Sequence, residues 1–181
     1  MATDLSHSRT VGATQPVDCI HGRWSMVGFS TISLALLFID GWLTYLGLGP
    51  WYYQLNFPPY QPPSWLFTPV WTVVLTLLAI STWLVARKAE PNPPAATLAF
   101  VAYGAQCVLN VGWSLIFFTL RRPDIALWNL IVLDVILLIM VISYRKVSKL
   151  AGNLVIPYFV WLLFATAINI WIVVDNASFK P

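Results

Sequence analysis

Five apolar runs, each about as long as a helix must be to cross a bilayer, decide what this chain can become. They cover about 26–46, 66–86, 95–120, 125–144 and 154–174. Roughly twenty helical residues span the hydrocarbon of a membrane. Only 9% of the chain is charged and its mean hydropathy is +0.74, where a soluble domain carries about 25% charge. Water cannot solvate such a surface, so lipid is the solvent for most of it. Unpaired strands cannot face lipid. The runs therefore predict an all-α membrane protein, a five-transmembrane-helix bundle. Arg87-Lys88 with Glu90–Pro94, then Arg121–Asp124, then Arg145-Lys146, Lys149 and Ala151-Gly152-Asn153 mark the breaks between runs. Residues 1–24 carry no apolar core for a cleaved signal peptide and read as a flexible polar tail. Residues 25–176 form the membrane domain, and 177–181 a short C-terminal tail.

The formal charge of +3 and the pI near 9.0 would point to acidic partners in a soluble protein. Here the cations sit in short loops, where they set topology, and no nucleic-acid partner is expected. An odd number of spans puts the termini on opposite sides. One side collects Arg9, Arg23, Arg87, Lys88, Arg145, Lys146 and Lys149; the other holds Arg121, Arg122 and Lys180. Seven against three predicts a cytoplasmic N-terminus by the positive-inside rule.

Between the first two runs lies the stretch 50–71, PWYYQLNFPPYQPPSWLFTPVW. Six prolines stiffen it, and Trp51, Tyr52, Tyr53, Phe57, Tyr60, Trp65, Phe67 and Trp71 fill it with rings. No charged residue or histidine interrupts them. Pro58-Pro59 and Pro62-Pro63 fix φ and remove backbone donors, giving a rigid surface of flat rings. An interfacial aromatic belt is the simpler account of such residues. Belts are scattered at helix ends, whereas this loop concentrates its rings, as a lid over a binding site would.

Inside the third run Tyr103, Gln106, Asn110, Trp113 and Phe117 recur at intervals of three and four, on one helical face. Amides are costly against lipid, so this face points into the bundle, where interhelical hydrogen bonding is their ordinary role. Pro157, Trp161, Ala165 and Asn169 repeat every four residues along the fifth run. Trp71 reaches the depth of the lid from the second. Indoles and amides with few charges suit a large, flat, mostly apolar ligand; packing explains any single one of them equally well. Asp40 and Asp134 are the acids deep in spans, and an intramembrane carboxylate is a functional candidate by default. Neither has a basic neighbour within a turn, so no paired proton relay is visible. Both histidines, His7 and His21, precede the first span, leaving no imidazole inside the membrane for a metal or haem iron. Cys19 and Cys107 give no disulfide framework. Neither a metal site nor a cofactor is expected.

Three ordered blocks carry a resemblance. The first is Trp51-Tyr52, Pro58-Pro59-Tyr60-Gln61-Pro62-Pro63-Ser64-Trp65 and Phe67-Thr68-Pro69-Val70-Trp71. The second runs Gln106-Cys107-Val108-Leu109-Asn110-Val111-Gly112-Trp113-Ser114 with Phe117-Phe118. The third is Pro157-Tyr158-Phe159-Val160-Trp161 with Phe164-Ala165-Thr166-Ala167-Ile168-Asn169. Together they resemble the TspO/translocator-protein family, the tryptophan-rich sensory proteins. The resemblance implies a five-helix bundle, commonly a homodimer, whose first loop covers a cavity for porphyrins and other tetrapyrroles, sterols or synthetic aromatic ligands. It assigns the ligand-binding positions to Trp51, Trp65, Trp71, Gln106, Asn110, Trp113, Trp161, Ala165 and Asn169. Some bacterial members are reported to break down protoporphyrin oxidatively in light; Trp71 and Trp161 would be the catalytic positions if that activity is present.

The chain departs from the family pattern in places. Tyr60 replaces the usual Trp, Asn129 stands where relatives often carry an acid, and Asp134 is extra. Asn169–Asp175 lacks the Tyr and the basic residue of the C-terminal sterol-recognition pattern, which leaves a loose match at Val141, Tyr144 and Lys146, a weak kind of pattern, as the sign of sterol. Three functions follow: a porphyrin-binding receptor, scavenger or transporter; an enzyme of photo-oxidative porphyrin breakdown; or a structural membrane protein whose rings only pack.

Overall fold

Polar breaks and prolines set the corners. In the computed structural model, which describes residues 17–177, six helices follow in order: α1 (Val17–Gly47), α2 (Pro50–Tyr53), α3 (Ser64–Arg87), α4 (Pro93–Ser114), α5 (Pro123–Val147) and α6 (Lys149–Asp175). Proline opens α2, α4 and α5 at the first turn, where its missing N–H has no intrahelical partner to lose. The Glu90–Pro94 break is thus also the start of a helix, its Asn92 side chain accepting from Ala95 N at 3.4 Å.

Five helices are long and apolar enough to cross a membrane: Ser25–Gly47, Ser64–Arg87, Pro93–Thr119, Pro123–Val147 and Lys149–Asp175. They close into a ring in which α1 packs on α3, α3 on α6, α6 on α5, α5 on α4, and α4 back on α1. Leu78, Val85, Ala99, Leu133, Leu137, Met140, Tyr144 and Tyr158 meet in its middle and at one end, fully excluded from the surroundings. At the other end a second cluster gathers Trp51, Leu55, Phe117, Phe118, Ala126, Ile168 and Ile172. Outward faces carry Leu34, Phe38, Val108, Trp128 and Val174, as a lipid-solvated bundle requires.

Two boundaries differ from the sequence reading. α1 begins at Val17, inside the segment expected to be tail, because extending an existing helix costs little; the tail's residues 1–16, and 178–181 of the C-terminal tail, lie outside the described residues. α6 begins at Lys149 and runs through Ala151-Gly152-Asn153, read from the sequence as a break. Gly152 is there for contact: a Cβ on it would run into the side chain of Arg145 and stand 2.8 Å from both Arg145 N and Val141 O. Close helix crossings in membranes favour such small residues.

α4 ends in a π-helical turn, Leu115–Thr119, in which Leu120 N reaches back five residues to Leu115 O at 3.0 Å. Arg121 then takes a left-handed conformation, φ 55°, and Arg122 N closes the end on Ile116 O at 3.1 Å. The wider turn buries both Phe117 and Phe118, 3% and 8% exposed. These consecutive rings are the seat on which the loop between α1 and α3 rests.

Candidate functional site

The loop 48–63 is fastened in its first half and at its middle. In its first half Trp51 donates its indole N–H to Gly47 O at 2.7 Å and packs its ring 6.0 Å from Phe117. Tyr52 lies 5.9 Å from Phe118 and 5.0 Å from Phe57. Burial among these rings raises the Tyr52 phenol above its ordinary pKa, with the Tyr53 phenol adding to the effect, so it stays neutral. Gly47 has no room for a side chain because Phe118 lies against it. The middle of the loop is latched to the end of α6. Asn56 N donates to Asn176 Oδ1 at 2.8 Å, and Asn176 Nδ2 returns a bond to Asn56 O at 3.1 Å while capping Ile172 O at 2.9 Å.

Beneath the second half of the loop, rings pass from one element to the next. Tyr60 contacts Phe164 (6.2 Å) and Trp171 (6.0 Å). Phe164 touches Trp161 (5.8 Å), and Trp161 meets Phe67 of α3 edge-on at 5.7 Å. One turn deeper Trp71 meets Tyr158 edge-on at 5.8 Å. The lid therefore rests directly on a wall of rings from α3 and α6. In this wall Nε1 of Trp161, a donor, is buried without a partner, and in the lid so is Oε1 of Gln61, an acceptor on the residue after Tyr60.

Toward the bundle centre Gln106, Asn110 and Asn169 are hydrogen-bonded within the protein, while Asp40 Oδ1, Tyr103 Oη, Asn129 Oδ1 and Asp134 Oδ1 are buried without a partner. Gln106 Nε2 donates to the Tyr158 hydroxyl at 2.9 Å, which donates to Asn110 Oδ1 at 2.9 Å, and Asn110 Nδ2 donates to Asp40 Oδ2. Trp113 donates its indole N–H to Asn169 Oδ1 at 3.1 Å, and Asn169 Nδ2 donates to Pro123 O at 2.9 Å. Thr166 donates to Asp134 Oδ2 at 2.8 Å. Each bond joins different helices, so this network sets their rotation. Buried hydrogen bonds between helices of this kind specify one packing over others.

The expected site residues thus divide. Trp71 and Trp161 line the wall under the lid, and Ala165 lies one helical turn beyond Trp161. Gln106, Asn110, Trp113 and Asn169 face inward as the spacing required, with their donors engaged by the protein itself. Trp51 anchors the lid. Trp65 stands apart, 71% exposed at the first turn of α3. Six residues separate it from Trp71, about 120° away on a helix, so both cannot face the same space. Phe67, four residues before Trp71, is the α3 ring that meets Trp161. Tyr158 and Asn176 carry more of the site than the sequence assigned them; an Asn just past the last apolar turn of α6 was the available sign for the latter. Among the described residues no group of His, Cys, Asp and Glu could hold a metal ion.

A ring of five membrane-spanning helices, capped at one end by an aromatic lid seated on stacked rings, defines a class of small multi-pass membrane proteins. The model of the TspO/MBR family matches residues 29–174, and the chain belongs to that family. It is 33% identical to the tryptophan-rich protein TspO of Archaeoglobus fulgidus over 144 residues, 80% of this chain and 92% of that one. Over 131 residues it is 33% identical to the protein of the same name from Chlorobaculum tepidum, covering 70% and 80%. With the human translocator protein it shares 30% over 130 residues, 72% of this chain and 77% of the relative.

Proposed function

We propose that this membrane protein binds a porphyrin-type ligand, flat, apolar and carrying both donors and acceptors, against the ring wall beneath the lid. The observation that carries the reading is that two of the buried atoms without partners, Trp161 Nε1 and Gln61 Oε1, belong to the wall and to the lid over it, with Phe67 and Phe164 against the Trp161 ring. Leaving a buried polar group unsatisfied costs about 1–3 kcal/mol, a cost that a ligand removes by supplying an acceptor to the indole and a donor to the amide. A tetrapyrrole has both, as carboxylates and pyrrole N–H groups, and its face stacks on indoles. Lid and wall are in contact, so entry requires the second half of the lid to lift.

Binding to a receptor or transporter is the reading; the relatives' name translocator supports carriage. A homodimer is part of the proposal, supported by the family resemblance, as is a cytoplasmic N-terminus, supported by seven basic residues against three. The test is a protoporphyrin titration followed by tryptophan fluorescence, in darkness and in light. Saturable quenching is expected, with Trp161→Phe weakening affinity about tenfold or more, the loss of one hydrogen bond to a charged group. Quenching that never saturates, or that ignores both Trp161→Phe and Trp71→Ala, overturns the proposal. Porphyrin loss that requires light and protein together would replace binding by breakdown.

A further inference from the structure

The end of the bundle opposite the lid is tied by two hydrogen bonds. Ser81 donates to Ala151 O at 2.6 Å, and the hydroxyls of Thr82 and Tyr144 lie 2.9 Å apart. These bonds fix the ends of α3 and α5 and the start of α6 beside one another. Immediately beyond them the sequence places its cations. Arg145 follows Tyr144 directly and Lys146 is next; Lys149 precedes Ala151 by two residues; Arg87 and Lys88 lie roughly 8 Å further along the α3 axis than Ser81 and Thr82. Two loops distant in sequence thus bring five cations to one corner, where Glu90 is the one acid of those loops.

All five side chains are exposed. Among the described residues the ion pair is Arg122 with Asp124, at the lid end, so none of the five is ion-paired among the described residues. Two of the heads are steered. The Arg87 guanidinium lies 5.0 Å over the ring of Trp83, and the stem of Arg145 lies in the notch left by Gly152. Topology alone needs basic residues on one side of the membrane, in any arrangement. Convergence on a corner, with one guanidinium over a ring and the stem of Arg145 in a glycine notch, is additional.

Like charges held together repel, and at the surface of a bilayer lipid phosphate supplies counter-charge. Guanidinium groups match phosphate oxygens in a bidentate fork, and lysines add positive potential around them. We propose that the corner formed by Arg87, Lys88, Arg145, Lys146 and Lys149 binds the headgroup of an anionic phospholipid of the surrounding bilayer. This assignment is independent of the ligand under the lid.

The test uses the full chain in detergent, titrated with phosphatidylglycerol, with phosphatidylcholine and with inorganic phosphate. Bound lipid is counted by native mass spectrometry and the melting temperature is followed in parallel. Phosphatidylglycerol is expected to half-saturate at a concentration at least tenfold below phosphatidylcholine, an advantage that shrinks as salt screens the corner. Removing a basic residue should cost about fivefold, so Arg145→Gln with Lys149→Gln should weaken phosphatidylglycerol about 25-fold. Arg121→Gln at the lid end should leave it unchanged. If the first pair does not fold, Lys88→Gln with Lys146→Gln, both exposed and away from the Gly152 notch, should shift binding in the same direction. Equal binding of the two lipids, or an equal loss with Arg121→Gln, overturns the proposal. Inorganic phosphate acting alone at the lipid's concentration would make this a free-anion site and overturns it as well.

Discussion

Replacing Asn176 by Ala should loosen one half of the lid and leave the other in place. Asn176 exchanges two hydrogen bonds with the backbone of Asn56, at 2.8 and 3.1 Å, across 120 residues of chain. Net contributions of single hydrogen bonds are about 0.5–1.5 kcal/mol, and the exposure of Asn56 argues for the lower half of that range. Losing two bonds therefore favours lifting of the lid's middle by about 1–2 kcal/mol, a five- to thirtyfold rise in its open population. The third bond, to Ile172 O at 2.9 Å, lies within α6, and its loss frays the helix end without touching the lid. Trp51 and Tyr52 are held separately, on Phe117 and Phe118. Hydrogen exchange by mass spectrometry on the detergent-solubilised chain can read the two halves apart. Peptides containing Asn56 should exchange five to thirty times faster in Asn176→Ala, while those containing Trp51 keep their protection. Asn176→Asp retains the acceptor for Asn56 N and loses only the return bond, so it should fall between. Uniform acceleration over the whole loop, or none at Asn56, refutes the division of the lid into a fixed and a latched half.

Gly152→Ala should lower the melting temperature, because a new Cβ meets Arg145 N and Val141 O at 2.8 Å, and overpacking of this kind costs about 1–3 kcal/mol. Gly28→Ala, with nothing within 4 Å of the added carbon, should be neutral or stabilising in the same melt; equal losses would mean that the α5–α6 crossing is not the cause. Asp40→Leu strands the amide donor of Asn110 and should cost about 1–3 kcal/mol, whereas Asp40→Asn, which still offers an acceptor, should retain most of the stability; equal melting of the two variants refutes the role given to Asp40. In a ligand-free melt Trp161→Phe should be close to neutral, since it removes a buried N–H that has no partner; a large loss would show that the indole N–H is bonded within the folded chain.

The spans were legible because lipid imposes one rule on every backbone group, and the breaks between them are written in Arg, Lys and Pro. The inward face of α4 was legible for the same reason: Gln106 and Asn110 could not face acyl chains, and their spacing left one direction open. Their partners were not legible. Tyr158 and Asp40 lie on other helices, and no local pattern says which helix will stand opposite. Gly152 misled because a glycine after a basic loop is the usual sign of a helix end, and only the approach of α5 shows that it is needed for contact.

The stripe Pro157, Trp161, Ala165, Asn169 divides between two surroundings for a geometric reason. Steps of four residues advance 400°, so each residue turns 40° past the last. Over three steps the stripe swings by about 120°, from the exposed Pro157, through half-buried Trp161 and Ala165, to Asn169 at 1% exposure. The residues named for one ligand therefore serve two ends. Asn169 fastens Trp113 and α5, leaving Trp161 with its donor unspent beneath the lid. Phe117 and Phe118 show the converse. An ordinary α-helix turns 100° between neighbours, so a pair of consecutive rings gave no reason to expect both inside. The π turn removes that conflict by lengthening the loop of backbone at the point where the lid needs a seat. What the sequence withheld is thus confined to where helices meet: the lid itself was legible in its prolines and rings, and the seat and latch that hold it were not.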